Sequence, residues 1–275
     1  METTIVRAPS APLLTNWRKL FGNIRIGRVA SPLAVLVLWQ FSSCLGLIPA
    51  RILASPLTIG ATFCSLLLSG ELPGDLLVSL GRVAAGAAIG ITAGAAFALF
   101  SGLSRRGEEI VDPLMQMLRA IPFLGAVPLL ILWFGIGETP KIILVALGAA
   151  FPVYLNLFGG IRAADPKLIE AGRVFGLDRA ALVRDIIVPS ALPSALVGVR
   201  YGLGVAWLSL VVGEQIGADR GIGYMILNAR DFLRTDIIVV GLLVYALLGL
   251  GTDALVRVCE RRALAWRPSF LRSIR

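Results

Sequence analysis

The chain has 275 residues, 57% of them hydrophobic and 16% charged, whereas soluble domains run at roughly 45–50% and about 25%. Its formal net charge of +9 is scattered between apolar runs rather than gathered with aromatics on a polar segment, which argues against a nucleic-acid partner. Histidine is absent, and Cys44, Cys64 and Cys259 lack paired spacing, so zinc motifs, a disulfide framework and histidine-dependent nucleophiles are excluded.

Residues 1–28 contain no apolar run and carry Arg7, Arg18, Lys19, Arg25 and Arg28. They predict a polar N-terminal tail rather than a cleavable signal. A bilayer-spanning helix needs about 20 mostly apolar residues. Ala30–Ile48 meets that requirement and, with an outer segment, fills residues 29–75. Within it, Leu57–Leu68 is apolar but too short to cross, and predicts an interfacial or re-entrant piece.

Residues 76–260 form the expected membrane core, with further spans at Leu77–Leu99, Pro113–Phe134, Ile142–Ile161, Leu192–Val212 and Ile237–Val256. The Pro113–Phe134 span is interrupted by Arg119, Pro122 and Pro128, which a bundle tolerates when neighbouring helices satisfy the freed carbonyls. Gly81, Gly86, Gly90 and Gly94 give the second span a stripe of small residues. Such a stripe suits close helix packing, either within the chain or against a second copy. The fold class expected is therefore all-α, a polytopic membrane protein with six transmembrane helices.

Orientation follows from charge. The N-terminal tail, the Arg105–Arg106 turn, the 162–190 loop and the segment from Arg257 onward, including a tail at 261–275, collect most of the 26 basic residues. The opposite connections hold Arg51, Lys141, Arg220, Arg230 and Arg234. Positive charge gathers on the cytoplasmic side, so both termini are expected there.

Charges inside spans are candidates for function. Arg119 and Arg200 fall in inner halves of their helices, where they could draw an anion or snorkel to headgroups. Arg82 lies near an outer helix end and is a candidate for the entrance, and Glu214 could cap the outer gate. Gly221–Tyr224 is expected to shape a short outer turn.

The cytoplasmic loop from Ile161 to Pro193 reads IRAADPKLIEAGRVFGLDRAALVRDIIVPSALP. Asp165-Pro166 signals a helix start, running to Phe175 and ended by Gly176. Asp178 opens a second helix, Arg179–Val188, which Pro189 should stop. Leu168, Ala171 and Phe175 share one face of the first helix. Ala171 and Gly172 are small enough for a partner backbone to approach, and Glu170 can reach a basic group there. Composition equally fits an ordinary interfacial helix lying on the headgroups.

This loop resembles the EAA motif of ABC importer permeases: Glu170-Ala171-Gly172 as the triplet, Gly176 as the glycine, and Ile186, Val188 and Pro189 at the end. It departs from the pattern at Gly172 and Val188. Leu118–Lys141, Pro189–Trp207 and Gly213–Ile226 are similar to the branch that imports aliphatic sulfonates and taurine, nitrate or cyanate-like anions, and some vitamin precursors.

The resemblance implies a type I ABC importer permease in a bacterial inner (plasma) membrane, working as a homodimer surrounded by lipid. It implies two separate ATP-binding ABC subunits, coupled through the segment around Glu170, and an extracytoplasmic solute-binding protein. Aliphatic sulfonate is the cargo it favours, with taurine, nitrate or a vitamin precursor as alternatives. No catalytic residue, metal or cofactor is expected in the chain, because none of Lys19, Lys141 and Lys167 lies in a GxxxxGK[ST] loop. A stand-alone secondary transporter is the rival of another class. The spans hold almost no acid for ion coupling, Asp253 lying toward the inner end of the last one.

Overall fold

Apolar length divides the helices into two kinds. The computed structural model describes residues 24–266. The predicted tails therefore lie largely outside the described residues. The elements in chain order are α1 (Ile24–Cys44), α2 (Pro56–Leu68), α3 (Glu71–Leu103), α4 (Arg105–Ala120), a 3-10 turn (Phe123–Ala126), α5 (Val127–Phe134) and α6 (Glu138–Arg162). Then follow α7 (Pro166–Val174), α8 (Arg179–Leu182), a π turn (Val183–Ile187), α9 (Val188–Gln215), α10 (Ile222–Asp231) and α11 (Thr235–Ala263).

Four of the runs are long and apolar enough to cross a membrane: Glu71–Leu103, Glu138–Arg162, Arg179–Gln215 and Thr235–Ala263. Outward-facing Leu77, Leu208, Leu247 and Leu250 suit them to hydrocarbon. The first expected span is shorter than drawn: α1 stops at Cys44, its apolar part is Ala30–Cys44, and Gly46 turns the chain at φ +71°. The Pro113–Phe134 segment is not one helix. Ile121 is extended (φ −74°, ψ 127°), as a residue before proline prefers, and Pro122 separates α4 from a 3-10 turn and the eight-residue α5. Counting apolar residues missed this break.

Helix α6 is the axis of the bundle, packed between α3 and α9. The glycine stripe of α3 explains one side. A Cβ at Gly86 would lie 2.6 Å from the Val145 side chain, and Gly90 and Gly94 face the carbonyls of Ala146 and Ala150 with less room still. On the other side, a Cβ at Gly202 would lie 2.8 Å from the Ala149 carbonyl, and one at Gly198 3.0 Å from that of Pro152. Three backbones thus approach as only small residues allow. Gly81 faces open space and takes no part.

At the end away from the 162–190 loop, α2 and α10 close over the bundle. Ile59 and Leu66 of α2 pack with Ile222, Met225 and Ile226 of α10 and Val240 and Val244 of α11. The Thr62 hydroxyl donates to Asp236 Oδ2 (2.8 Å), fixing α2 on α11. With 13 residues α2 is about 20 Å long, short of a bilayer core of about 30 Å.

Candidate functional site

The loop is built from local capping. Asp165 Oδ1 accepts from the Lys167 amide (2.9 Å) and Pro166 occupies the first turn of α7. The helix ends in a Schellman arrangement: Gly176 sits at φ +80°, its amide donates to the Arg173 carbonyl, and the Leu177 amide donates to that of Gly172 (both 3.0 Å). Asp178 Oδ1 then accepts from Ala181 N (2.7 Å) and starts α8.

Two expectations need correction here. Pro189 does not stop the second helix, which continues through a π turn at Val183–Ile187 straight into α9, with Pro189 in the first turn of α9. Proline has no amide to donate and its ring crowds the carbonyl four residues back, and the wider π turn accommodates both. Gly172 does not face outward. It is buried, and a Cβ there would come within 2.7 Å of Leu182 and Ile186. Its smallness lets α7 cross the second helix of the loop.

The surface left outward carries Glu170, Ala171 and Gly176, all exposed, with Leu168 beside them. Val174 and Phe175 are 85% and 86% exposed. Val174 was not singled out from sequence, although it continues the apolar face. Two large apolar side chains exposed on a capped loop form a candidate contact surface. The loop is braced on the bundle by Arg179, which donates to the Leu103 carbonyl ending α3 (3.2 Å), while Arg162 at the end of α6 donates to Glu108 of α4 (2.9 Å).

The opposite end holds a charge cluster, buried at Arg82, Lys141 and Glu214 and exposed at Glu138, that sequence reasoning did not assemble. Arg82 of α3, 6% exposed, donates two bonds to Glu138 at the start of α6 (both 2.6 Å), one to Glu214 of α9 (2.8 Å) and one to the Arg220 carbonyl (2.6 Å). Glu214 is fully buried. It also accepts from Ser79 (2.8 Å), Tyr245 of α11 (3.0 Å) and the Gly223 amide (2.8 Å). Lys141 adds a second cation beside Glu138 (3.3 Å). Gly221, at φ +119°, brings the chain over Glu214, where any Cβ would fall 2.5–2.7 Å from the carboxylate.

Arg82 and Glu214, expected at the entrance and the gate, are brought together here. They bind each other and present no free charge to a passing solute. Ser79, Glu138, Lys141 and Tyr245 are the partners that were missed. A charge within an apolar run was the available signal, and only Arg82 and Glu214 were weighed by it.

The remaining pathway candidates lie apart. Arg200 on α9 pairs with Asp253 on α11, which also holds Arg257 (3.0 Å). The cleft beside them, about 480 Å³, is lined by Tyr201, Gly204, Trp207 and Thr252. Arg119 is exposed in the last turn of α4. Among the described residues, no group of three or more Cys, Asp or Glu could hold a metal ion.

Residues 86–264 match the family described as binding-protein-dependent transport system inner membrane component. The chain is 45% identical over 256 residues to SsuC of Bacillus subtilis (strain 168), provisionally named an aliphatic sulfonates transport permease protein, covering 92% of this chain and 93% of that one. It is 36% identical over 191 residues to the taurine transport system permease protein TauC of Escherichia coli (strain K12), covering 70% of each. A crystal structure of an amino acid ABC transporter superposes with a TM-score of 0.60 at 21% identity, covering 73% of this chain and 98% of that one. An inward-facing MetNI methionine ABC transporter superposes at 0.56 and 20%, covering 70% and 97%. The chain belongs to the inner membrane components of binding-protein-dependent transport systems, with the all-α polytopic fold of type I ABC importer permeases.

Proposed function

We propose that this chain is the translocating subunit of an importer for aliphatic sulfonates, paired with a second copy of itself in a lipid bilayer. ATP hydrolysis belongs to a separate subunit that docks on the exposed face of α7, with both permease termini on that side. A solute-binding protein delivers cargo at the opposite end, over α2 and α10. The observation that carries the cargo is the 45% identity to SsuC along nearly the whole chain, against 36% to TauC over 70% of it.

Coupling follows from the loop's construction. Capped at Asp165 and Asp178 and closed at Gly176, α7 moves as a block on the Gly172 crossing. A displacement imposed on Val174 and Phe175 is passed through the 179–215 helical run into the bundle, whose two forms the nucleotide state biases. Arg200 and Arg119 are the basic side chains left for an anionic cargo to meet. Arg200 borders the larger cleft, and its Asp253 partner is shared with Arg257.

The test is uptake by the full assembly in proteoliposomes. Labelled alkanesulfonate should accumulate only with ATP and binding protein, and excess taurine or nitrate should compete poorly. Glu170→Arg should lower recovery of the ATPase subunit at least about tenfold, the scale of an interfacial charge reversal. Accumulation of taurine in preference to alkanesulfonate would reassign the cargo. Uptake without any ATPase would overturn the importer assignment.

A further inference from the structure

A second feature of the loop end has no part in the docking face. Between α7 and the ends of α3 and α6 lies a cavity of about 370 Å³. Its lining includes three arginines, Arg162 from the end of α6, Arg173 from α7 and Arg179 from the start of α8, with Gly102, Ile169 and Ile187 as apolar walls. Ile169 and Arg173 turn into the cavity on the flank of α7 away from Val174 and Phe175.

Glu108 is engaged by Arg162 (2.9 Å), and Asp165 and Asp178 are occupied capping α7 and α8. Arg179 is met by the Leu103 carbonyl, a partial charge at a helix C-terminus. Three guanidinium groups thus line one cavity, and among the described residues only Arg162 of the three is ion-paired with a carboxylate. Planar guanidinium forks match tetrahedral oxyanions, to which they donate paired hydrogen bonds. The floor of the cavity is formed by the ends of α3 and α6, two helices long and apolar enough to cross a membrane.

We propose that this cavity is an oxyanion site, taking a sulfate- or phosphate-type group that bridges the loop arginines Arg173 and Arg179 to Arg162 on the bundle. Two sources carry that chemistry: the phosphate of an anionic phospholipid, with its chains along the apolar walls, or a free inorganic oxyanion. An occupied site braces α7 against the bundle and so tunes how the loop transmits movement. The proposal does not depend on the cargo.

The probes are sodium sulfate and phosphatidylglycerol. Thermal unfolding of the purified full chain is followed against sulfate at matched ionic strength, in the parent, Arg173→Gln, Arg179→Gln and the far-end control Arg230→Gln. Sulfate stabilises folded proteins generally, so the difference between variants is the readout. In parallel, native mass spectrometry scores phosphatidylglycerol retained from mixed micelles.

A saturable shift in the parent and Arg230→Gln, with half-saturation raised about tenfold in Arg173→Gln, supports a free-anion site. Retention of phosphatidylglycerol lost in Arg173→Gln and Arg179→Gln but kept in Arg230→Gln supports the lipid source. Equal sulfate responses in all four proteins, together with lipid retention indifferent to Arg173, overturn the site. Arg173→Gln carries the decision, because Arg173 is exposed and caps no other helix, so its loss leaves the fold intact.

Discussion

The two ends of the bundle are held together by different physics. At the far end, Arg82, Glu138, Lys141 and Glu214 join α3, α6 and α9, and Tyr245 brings in α11, with Glu214 wholly buried. At the loop end, helix caps, one left-handed glycine and a glycine crossing hold a segment whose largest apolar side chains face water. Arg82 and Glu214, buried and fully bonded, have few ways to rearrange, since a group that leaves them strands another in a low-dielectric site, while Glu138 of the same cluster is exposed. A capped loop keeps its own shape while shifting as a unit. The difference teaches where rigidity is placed: the far end keeps helix registry, and the loop end is free to be pushed.

Substitutions can break that contrast, and the largest effect belongs to the far end. Glu214→Ala takes the acceptor from Ser79, Tyr245 and the Gly223 amide and one of two carboxylate partners from Arg82, and should destabilise by about 3–5 kcal/mol, the scale of a broken buried pair with stranded donors. Thermal unfolding in detergent reads it. Gly221→Ala comes next: a side chain at φ +119° against the Glu214 carboxylate is expected to lose about 1–3 kcal/mol in the same assay.

Gly176→Ala strains only one turn of the loop, and about 1 kcal/mol is expected, with ATPase-subunit recovery falling as the α7 face tilts. Smallest in stability is Val174→Ser, which should stay within about 0.5 kcal/mol of the parent because nothing of the chain packs on that side chain. Its loss should appear in co-purification of the ATPase subunit instead. A large drop in unfolding temperature for Val174→Ser would blur the contrast, and an unchanged one for Glu214→Ala would end it.

What was legible in the sequence was mostly local. Asp165-Pro166, Gly176 and Asp178 mark their helix ends because capping involves neighbours two to five residues apart. The long spans were legible because hydrocarbon demands unbroken apolar length. Pro189 misled because a π turn can admit a proline without ending the helix, and no residue announces such a turn. The break at Ile121–Pro122 was signalled by the proline but outweighed by the apolar count.

The far-end cluster was illegible for a different reason. Arg82 meets Glu138 and Glu214, which are 56 and 132 residues away in sequence, and nothing short of the packed bundle brings them together. Gly172 was legible as a small residue and misassigned to a partner, since smallness at a crossing looks the same whichever backbone it admits.

The claim that the loop end exists to be pushed is tested most directly by Phe175→Asp, measured for unfolding temperature and ATPase-subunit recovery in one preparation. The account predicts a parent-like unfolding temperature with the ATPase subunit lost. Full recovery of the ATPase subunit with Asp in place of Phe175 would contradict it and place the docking surface elsewhere.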